Sequence, residues 1–144
     1  MAIWREIPTI EQLNMTGRQT IAEALGVEFT SVGEDHLVAR MPVDWRTKQP
    51  AGLLHGGASV VLAETLGSVA SALCAPSPEH RCVGIEVNAN HLKSATSGYV
   101  TGVVRPLHVG KTTHVWDIRI SNDEGAMVCV SRLTVAVIAP KAGS

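Results

Sequence analysis

Aromatic residues are nearly missing from this chain: three Trp, one Tyr and one Phe in 144 residues. No stretch interleaves aromatic with basic side chains, and 12 Lys and Arg against 13 Asp and Glu leave a net charge of −1. Neither nucleic acid nor an anionic membrane is therefore an expected partner. Cysteine is scarce and unpaired as well. Cys74, Cys82 and Cys129 show no Cys-x-x-Cys spacing, which argues against a disulfide framework and fits reduced thiols in a cytosolic protein. The start, Met1-Ala2-Ile3-Trp4-Arg5-Glu6, lacks the basic and then apolar pattern of a secretory leader, so the cytoplasm is the expected location. Repeats and low-complexity tracts are also lacking. What remains is a 15.2 kDa chain, read as one domain over 1–144 and large enough to bury a core without metal or disulfide staples.

The apolar periodicity orders this core. Ile10, Leu13, Ile21, Ala24 and Leu25 predict a helical segment over about 9–25, stopped at Gly26. Val27 and Phe29, and then Leu37, Ala39, Met41 and Val43, alternate with polar neighbours as strands do, with a turn at Gly33-Glu34-Asp35. A polar loop from Asp44 to Gly52 leads into a long apolar segment, Gly56 to Ala75, which ends at Pro76-Ser77-Pro78. Further strands follow around Val83, Ile85 and Val87, over Tyr99 to Leu107, over Thr112 to Ser121, and from the Asn122-Asp123-Glu124-Gly125 turn to near Ile138. His114, Trp116, Ile118 and Ile120 share one face of the third of these. The gaps are too short for crossover helices, so the sheet is expected to be antiparallel. One long apolar helix wrapped by such a sheet is an α+β architecture.

Glu64 is the only acidic or basic side chain between Gly56 and Ala75. A helix of that length could cross a membrane, yet its central Glu and its abundance of Gly, Ala and Ser favour a helix buried in protein. A mid-helix Glu usually turns to solvent. Here no Lys or Arg stands three or four residues away and the helix has no polar face to turn outward. A carboxylate isolated among apolar neighbours is costly to bury, and it is the leading candidate for a base or a nucleophile.

The helix is entered through His55-Gly56-Gly57. Glycines there leave backbone N–H groups open to an incoming oxygen at the positive end of the helix dipole, an oxyanion-stabilising arrangement. They also let the chain pack closely on a sheet, and the pair alone does not decide between the two. Gly52-Leu53-Leu54-His55-Gly56-Gly57-Ala58-Ser59 nearly matches a phosphate-binding loop but has Ala58 where that loop needs Lys. Six histidines invite a metal reading, but none pairs at a two-His helical spacing and no cysteine cluster completes a set, so no metal is expected. Gly56 and Glu64 are eight residues apart, roughly 12 Å of helical rise, too far to act on one carbonyl. Two copies with antiparallel helices would bring Gly56 of one to Glu64 of the other, twice per two-fold dimer.

These residues carry a resemblance. Gln49-Pro50-x-Gly52-Leu53-Leu54-His55-Gly56-Gly57, then Ala63-Glu64, then Asn88-Ala89-Asn90-His91 resemble the hotdog-fold acyl-CoA thioesterases, in particular the bacterial group acting on aryl-CoA, dihydroxynaphthoyl-CoA and enterobactin-pathway carrier-protein thioesters. The likeness spans about 26–138. It implies the hotdog fold, hydrolysis of an acyl-CoA thioester to acid and CoA, no cofactor beyond the substrate's own CoA, and homodimers that pair into homotetramers. An acyl carrier protein is a further partner it allows. Glu64 would attack the carbonyl or activate the water that does. The Gly56 N–H would polarise the carbonyl, Gln49 would orient substrate or water, and His55 would position the loop or contact the thioester. The resemblance gives Ser68 and His91 supporting roles. Because CoA carries phosphates, Lys93, His108, Gly110, Lys111 and Arg132 are expected around the pocket mouth. Val60, Leu62 or Val83 are candidate aliphatic walls. A hotdog dehydratase and a non-catalytic acyl-CoA-binding module are the alternatives; the Gln49, His55, Glu64 set fits hydrolysis better than the first, and binding alone needs no buried carboxylate.

Overall fold

The computed structural model describes residues 1–142, so the last two residues of the expected 1–144 domain lie outside the described residues. The helical segment expected over 9–25 is two short helices, α1 (Ile10–Thr16) and α2 (Ile21–Ala24). Two threonines account for the break. Thr9 caps α1 in a capping box with Gln12, and Thr20 caps a fresh start by accepting from the Ala22 N–H. Between them Gln19 takes a φ of 59°, which ends any continuous helix.

Strands β1 (Glu28–Val32) and β2 (Leu37–Pro42) precede the central helix α3 (Gly56–Cys74), and β3 (Arg81–His91), β4 (Tyr99–Val109), β5 (Thr113–Ser121) and β6 (Met127–Ile138) follow it. They form one six-stranded sheet in the order β1-β2-β4-β5-β6-β3. Every neighbouring pair is antiparallel; short connections account for this between β1 and β2, β4 and β5, and β5 and β6, whereas the β2 to β4 and β6 to β3 pairings join strands that are not consecutive in the chain. The hotdog architecture expected from the sequence is the one observed.

One face of the sheet wraps α3. Leu37, Ala39 and Met41 of β2, Trp116, Ile118 and Ile120 of β5, and Leu133 and Val135 of β6 are buried against Leu62, Leu66 and Ala70 of the helix. Each large aliphatic side chain so buried contributes on the order of 2 kcal/mol against chain entropy. Close approach demands glycine at Gly67, where an added Cβ would stand 2.5 Å from a Leu133 methyl. By length and composition α3 could cross a membrane, with a mean hydropathy of 1.5; here the sheet covers one side of it.

β3 departs from the sequence expectation. A bulge between Gly84 and Glu86 interrupts its alternation, and Val83 and Ile85 are both exposed on this edge strand. Among the described residues its outer edge has no strand partner. Leu62, expected as a pocket wall, is fully buried in the core and lines no pocket described below.

Candidate functional site

The loop before α3 is held by its own polar side chains. Arg46 donates through Nε and Nη2 to the Asp44 carboxylate at 3.1 and 2.8 Å, and these bonds hold the Asp44 carboxyl below its usual range. Thr47, almost fully buried, donates through Oγ1 to the Pro42 carbonyl at 2.7 Å. The His55 N–H then reaches the Thr47 carbonyl at 2.8 Å, returning the chain to the helix start. Gln49 sits in a tight turn closed by Gly52, whose φ of 84° suits glycine. The Gln49 Oε1 accepts from the Ala51 N–H, so its amide NH2 group remains available to donate.

His55 is the N-cap of α3. Its Nδ1 accepts the Gly57 N–H at 2.8 Å, and its carbonyl accepts from Ala58 and Ser59. The Gly56 N–H is left without an acceptor among the described residues, at the positive end of a 19-residue helix. His91, arriving on the end of β3, lies over Gly56 so closely that an added Cβ would stand 2.8 Å from its Nε2. Gln49, Gly56, His91 and Lys93 together line an open pocket of about 310 Å³, with Leu53, Leu92 and Val128 as apolar wall.

Glu64 does not line that pocket. It is half-buried on α3, with Oε2 beside the Gly84 Cα at the bulge of β3: a Cβ there would be 3.7 Å away. Among the described residues its carboxylate has neither a hydrogen bond nor an ion pair. Ser68, one turn on, lines a different cavity of about 190 Å³, walled by α1, α2 and β1 through Leu13, Ile21 and Phe29.

The expected phosphate ligands divide. Lys93 borders the pocket. His108, Gly110 and Lys111 belong to the β4–β5 hairpin, where the His108 ring covers Gly110. Their end of the sheet is the far one: β6 pairs with His91 at Cys129 and with Thr113 at Ala136, a separation of about 23 Å along the strand. Arg132 is exposed, on the sheet face away from α3, between Asn88 and Asp117 on the neighbouring strands. Among the described residues no group of three His, Cys, Asp or Glu side chains is placed to hold a metal ion.

Two features of α3 have no counterpart in the sequence reading. Ser71, fully buried, joins His114 at 2.9 Å and accepts from Trp116 Nε1 at 2.7 Å. Ser59, also buried, lines the pocket beside Gly56, and its hydroxyl has no partner among the described residues. A serine in an apolar run carries no sign of which condition it will meet; only the neighbours brought by the sheet decide.

Comparison with known proteins gives a consistent picture. Residues 51–129 match the family model described as the thioesterase superfamily. The chain is 52% identical over 136 residues to the 1,4-dihydroxy-2-naphthoyl-CoA hydrolase of Escherichia coli K12, covering 94% of this chain and 99% of that protein. Against the proofreading thioesterase EntH of Cronobacter turicensis the identity is 48% over 137 residues, covering 94% and 98%. A crystal structure of a variant of thioesterase PA1618 from Pseudomonas aeruginosa superposes with a TM-score of 0.93 at 55% identity, covering 95% of this chain and 99% of that one.

Proposed function

This chain belongs to the thioesterase superfamily and is a hydrolase of thioester bonds, and from that premise we propose that it cleaves acyl-CoA, aryl-CoA above all, to the free acid and CoA. The observation that carries the reading is the open Gly56 N–H, set at a helix N-terminus inside a pocket with Gln49 and His91. A donor so placed stabilises the oxygen of a carbonyl as it becomes an oxyanion. Glu64 supplies the other half. As a general base it takes a proton from water, whose oxygen attacks the carbonyl carbon; the tetrahedral oxyanion collapses, the C–S bond breaks, and the CoA thiolate leaves and is protonated. As a nucleophile it would first form a mixed anhydride with loss of the thiolate, which water then opens.

Roughly 12 Å of α3 separates Gly56 from Glu64, so the complete site is shared in a homodimer. The unpaired edge of β3, with Val83 and Ile85 exposed, is the surface proposed to meet a second copy. With the helices antiparallel, the partner's hairpin carrying His108, Gly110 and Lys111 comes toward Lys93, where CoA phosphates would lie. The hairpin belongs to the C-terminal end of α3, as the Ser71 to His114 bond shows, and in the proposed dimer that end faces the partner's helix start. No cofactor takes part in this scheme. Pairing into tetramers, a cytoplasmic setting and an acyl carrier protein as alternative thiol carrier complete the proposal.

Purified protein offered benzoyl-CoA, 1,4-dihydroxy-2-naphthoyl-CoA and decanoyl-CoA, with free thiol detected, tests it. Faster CoA release from the aryl thioesters is expected; a preference for decanoyl-CoA would overturn the aryl reading. Single turnover in 18O-labelled water tests the nucleophilic role of Glu64: label in the protein carboxylate requires an anhydride opened by water at the Glu64 carbonyl carbon, with the unlabelled bridging oxygen leaving in the acid, whereas general-base attack labels the product acid alone.

A further inference from the structure

The first turn of α3 holds one polar group that the reaction above leaves unused. Ser59 follows Gly56 by three residues, which places both on one helical face. Helical side chains lean toward the N-terminus, and this carries the Ser59 hydroxyl back over the turn that starts at Gly56. Ser59 is 1% exposed, its Oγ has no partner among the described residues, and it lines the same pocket as Gly56, Gln49 and His91.

Of the other three hydroxyls of the helix, Ser68 is only half-buried, and Thr65 and Ser71 find partners within the protein. Thr65 donates to the Val61 carbonyl at 2.7 Å, the common solution for a helical hydroxyl. Ser71 is met by His114 and Trp116 from β5. Ser59 has neither arrangement. A buried hydroxyl without a partner destabilises the fold, and alanine would fill nearly the same space without that cost. A ligand oxygen in the pocket would satisfy it.

We infer that the Ser59 hydroxyl is a second hydrogen-bond donor to the thioester carbonyl oxygen, acting with the Gly56 N–H, and so a catalytic residue. This rests on the thioesterase reading of the pocket. Two donors one helical turn apart can approach the same oxygen from different sides. As the carbonyl becomes tetrahedral its oxygen gains charge, and a hydrogen bond to it strengthens more in the transition state than in the bound substrate. Ser59 loses no proton in the step: its O–H bond stays intact while the proton of the attacking water goes to the base and the thiolate departs. The walls formed by Leu53, Leu92 and Val128 lower the local polarity and add to the worth of each bond.

The test is Ser59→Ala, with Ser59→Cys as a near-isosteric poor donor, assayed on the best aryl-CoA substrate and by thermal unfolding. Ser59→Ala is expected to lower kcat ten- to a hundredfold and to raise KM by a smaller factor, about two- to fivefold, because the bond to the bound carbonyl is weaker than that to the oxyanion, with Tm unchanged or higher and Ser59→Cys between the two. Unchanged kcat and KM would make Ser59 a packing residue and overturn the assignment. A raised KM at constant kcat would place the hydroxyl on another part of the substrate, and also overturns it. A second measurement needs no turnover: phenacyl-CoA, a thioether that keeps a carbonyl but cannot be hydrolysed, and ethyl-CoA, which has none, are titrated by calorimetry. Weaker phenacyl-CoA binding by Ser59→Ala, with ethyl-CoA binding unchanged, supports the inference; equal binding of both probes by the two proteins defeats it. Should wild-type protein cleave no thioester, the thioesterase reading fails, and the titration still decides about Ser59.

Discussion

Two serines, twelve residues apart on one helix, divide the molecule. At the C-terminal end of α3, Ser71 is buried and bonded twice: Trp116 Nε1 donates to its Oγ, which also shares a hydrogen bond with His114 Nδ1. At the N-terminal end, Ser59 is just as buried and has no partner among the described residues, next to a backbone N–H that also has none there. The same residue type on the same helix thus closes one end of the core and leaves the other polar and open. A saturated buried network specifies structure; an unsatisfied one, set in a pocket, is where a substrate completes the bonding.

Four experiments break or sharpen this contrast. The largest effect is expected at Glu64, whose carboxylate is half-buried without a partner: Glu64→Gln should lower kcat/KM more than a hundredfold, about 2.7 kcal/mol of transition-state stabilisation, without lowering Tm. Retention of a tenth of wild-type activity would remove Glu64 from the reaction. Next, Ser71→Ala leaves His114 Nδ1 and the Trp116 donor buried without their shared partner, at about 2–4 kcal/mol. Its urea midpoint should fall sharply while that of Ser59→Ala does not, and equal midpoints for the two variants would erase the distinction between the helix ends.

Mixed dimers probe whether the open end is completed by another chain. Glu64→Ala and Gly56→Pro, the latter lacking the N–H, are each expected to be inactive. After subunit exchange a heterodimer has one intact site, and random mixing should restore about a quarter of wild-type activity. Exchange shown by mass spectrometry with no activity regained would mean that each chain builds its own site.

The smallest effect belongs to the closed end. Burial, with a smaller contribution from His108, holds the His114 ring below the ordinary histidine range. The unfolded chain takes up a proton as pH falls through about 6.5 while the folded chain does not. The stability this residue contributes is therefore present above that pH and lost as pH falls toward the lowered folded value, by at most about 1.4 kcal/mol per unit. His114→Gln, which keeps an acceptor but cannot titrate, should narrow its stability gap to wild type between pH 7 and 5 in urea unfolding. Parallel pH curves for the two proteins would show that His114 does not titrate differently on folding.

Much of the architecture was legible in the residues alone. Alternation marked β1, β2 and β5, the short connections pointed to antiparallel pairing of consecutive strands, the turn at 122–125 placed β6, and the apolar run from Gly56 located α3. Glu64 stood out because charge in an apolar segment is visible without coordinates, and the Gly56-Gly57 pair marked the helix start because glycine has a backbone meaning wherever it occurs. Other features came only with the tertiary structure. It broke the helix expected over 9–25 at two threonine caps, bulged β3 so that Val83 and Ile85 both stand exposed at an edge, set His91 over Gly56, and placed the 108–111 hairpin at the far end of the sheet from Lys93. It also gave Ser71 two partners and Ser59 none. The physical reason is the same throughout: periodicity, charge and glycine content are properties of a segment and can be read along it, whereas burial and hydrogen-bond satisfaction are properties of pairs, decided by which distant segment the fold brings alongside.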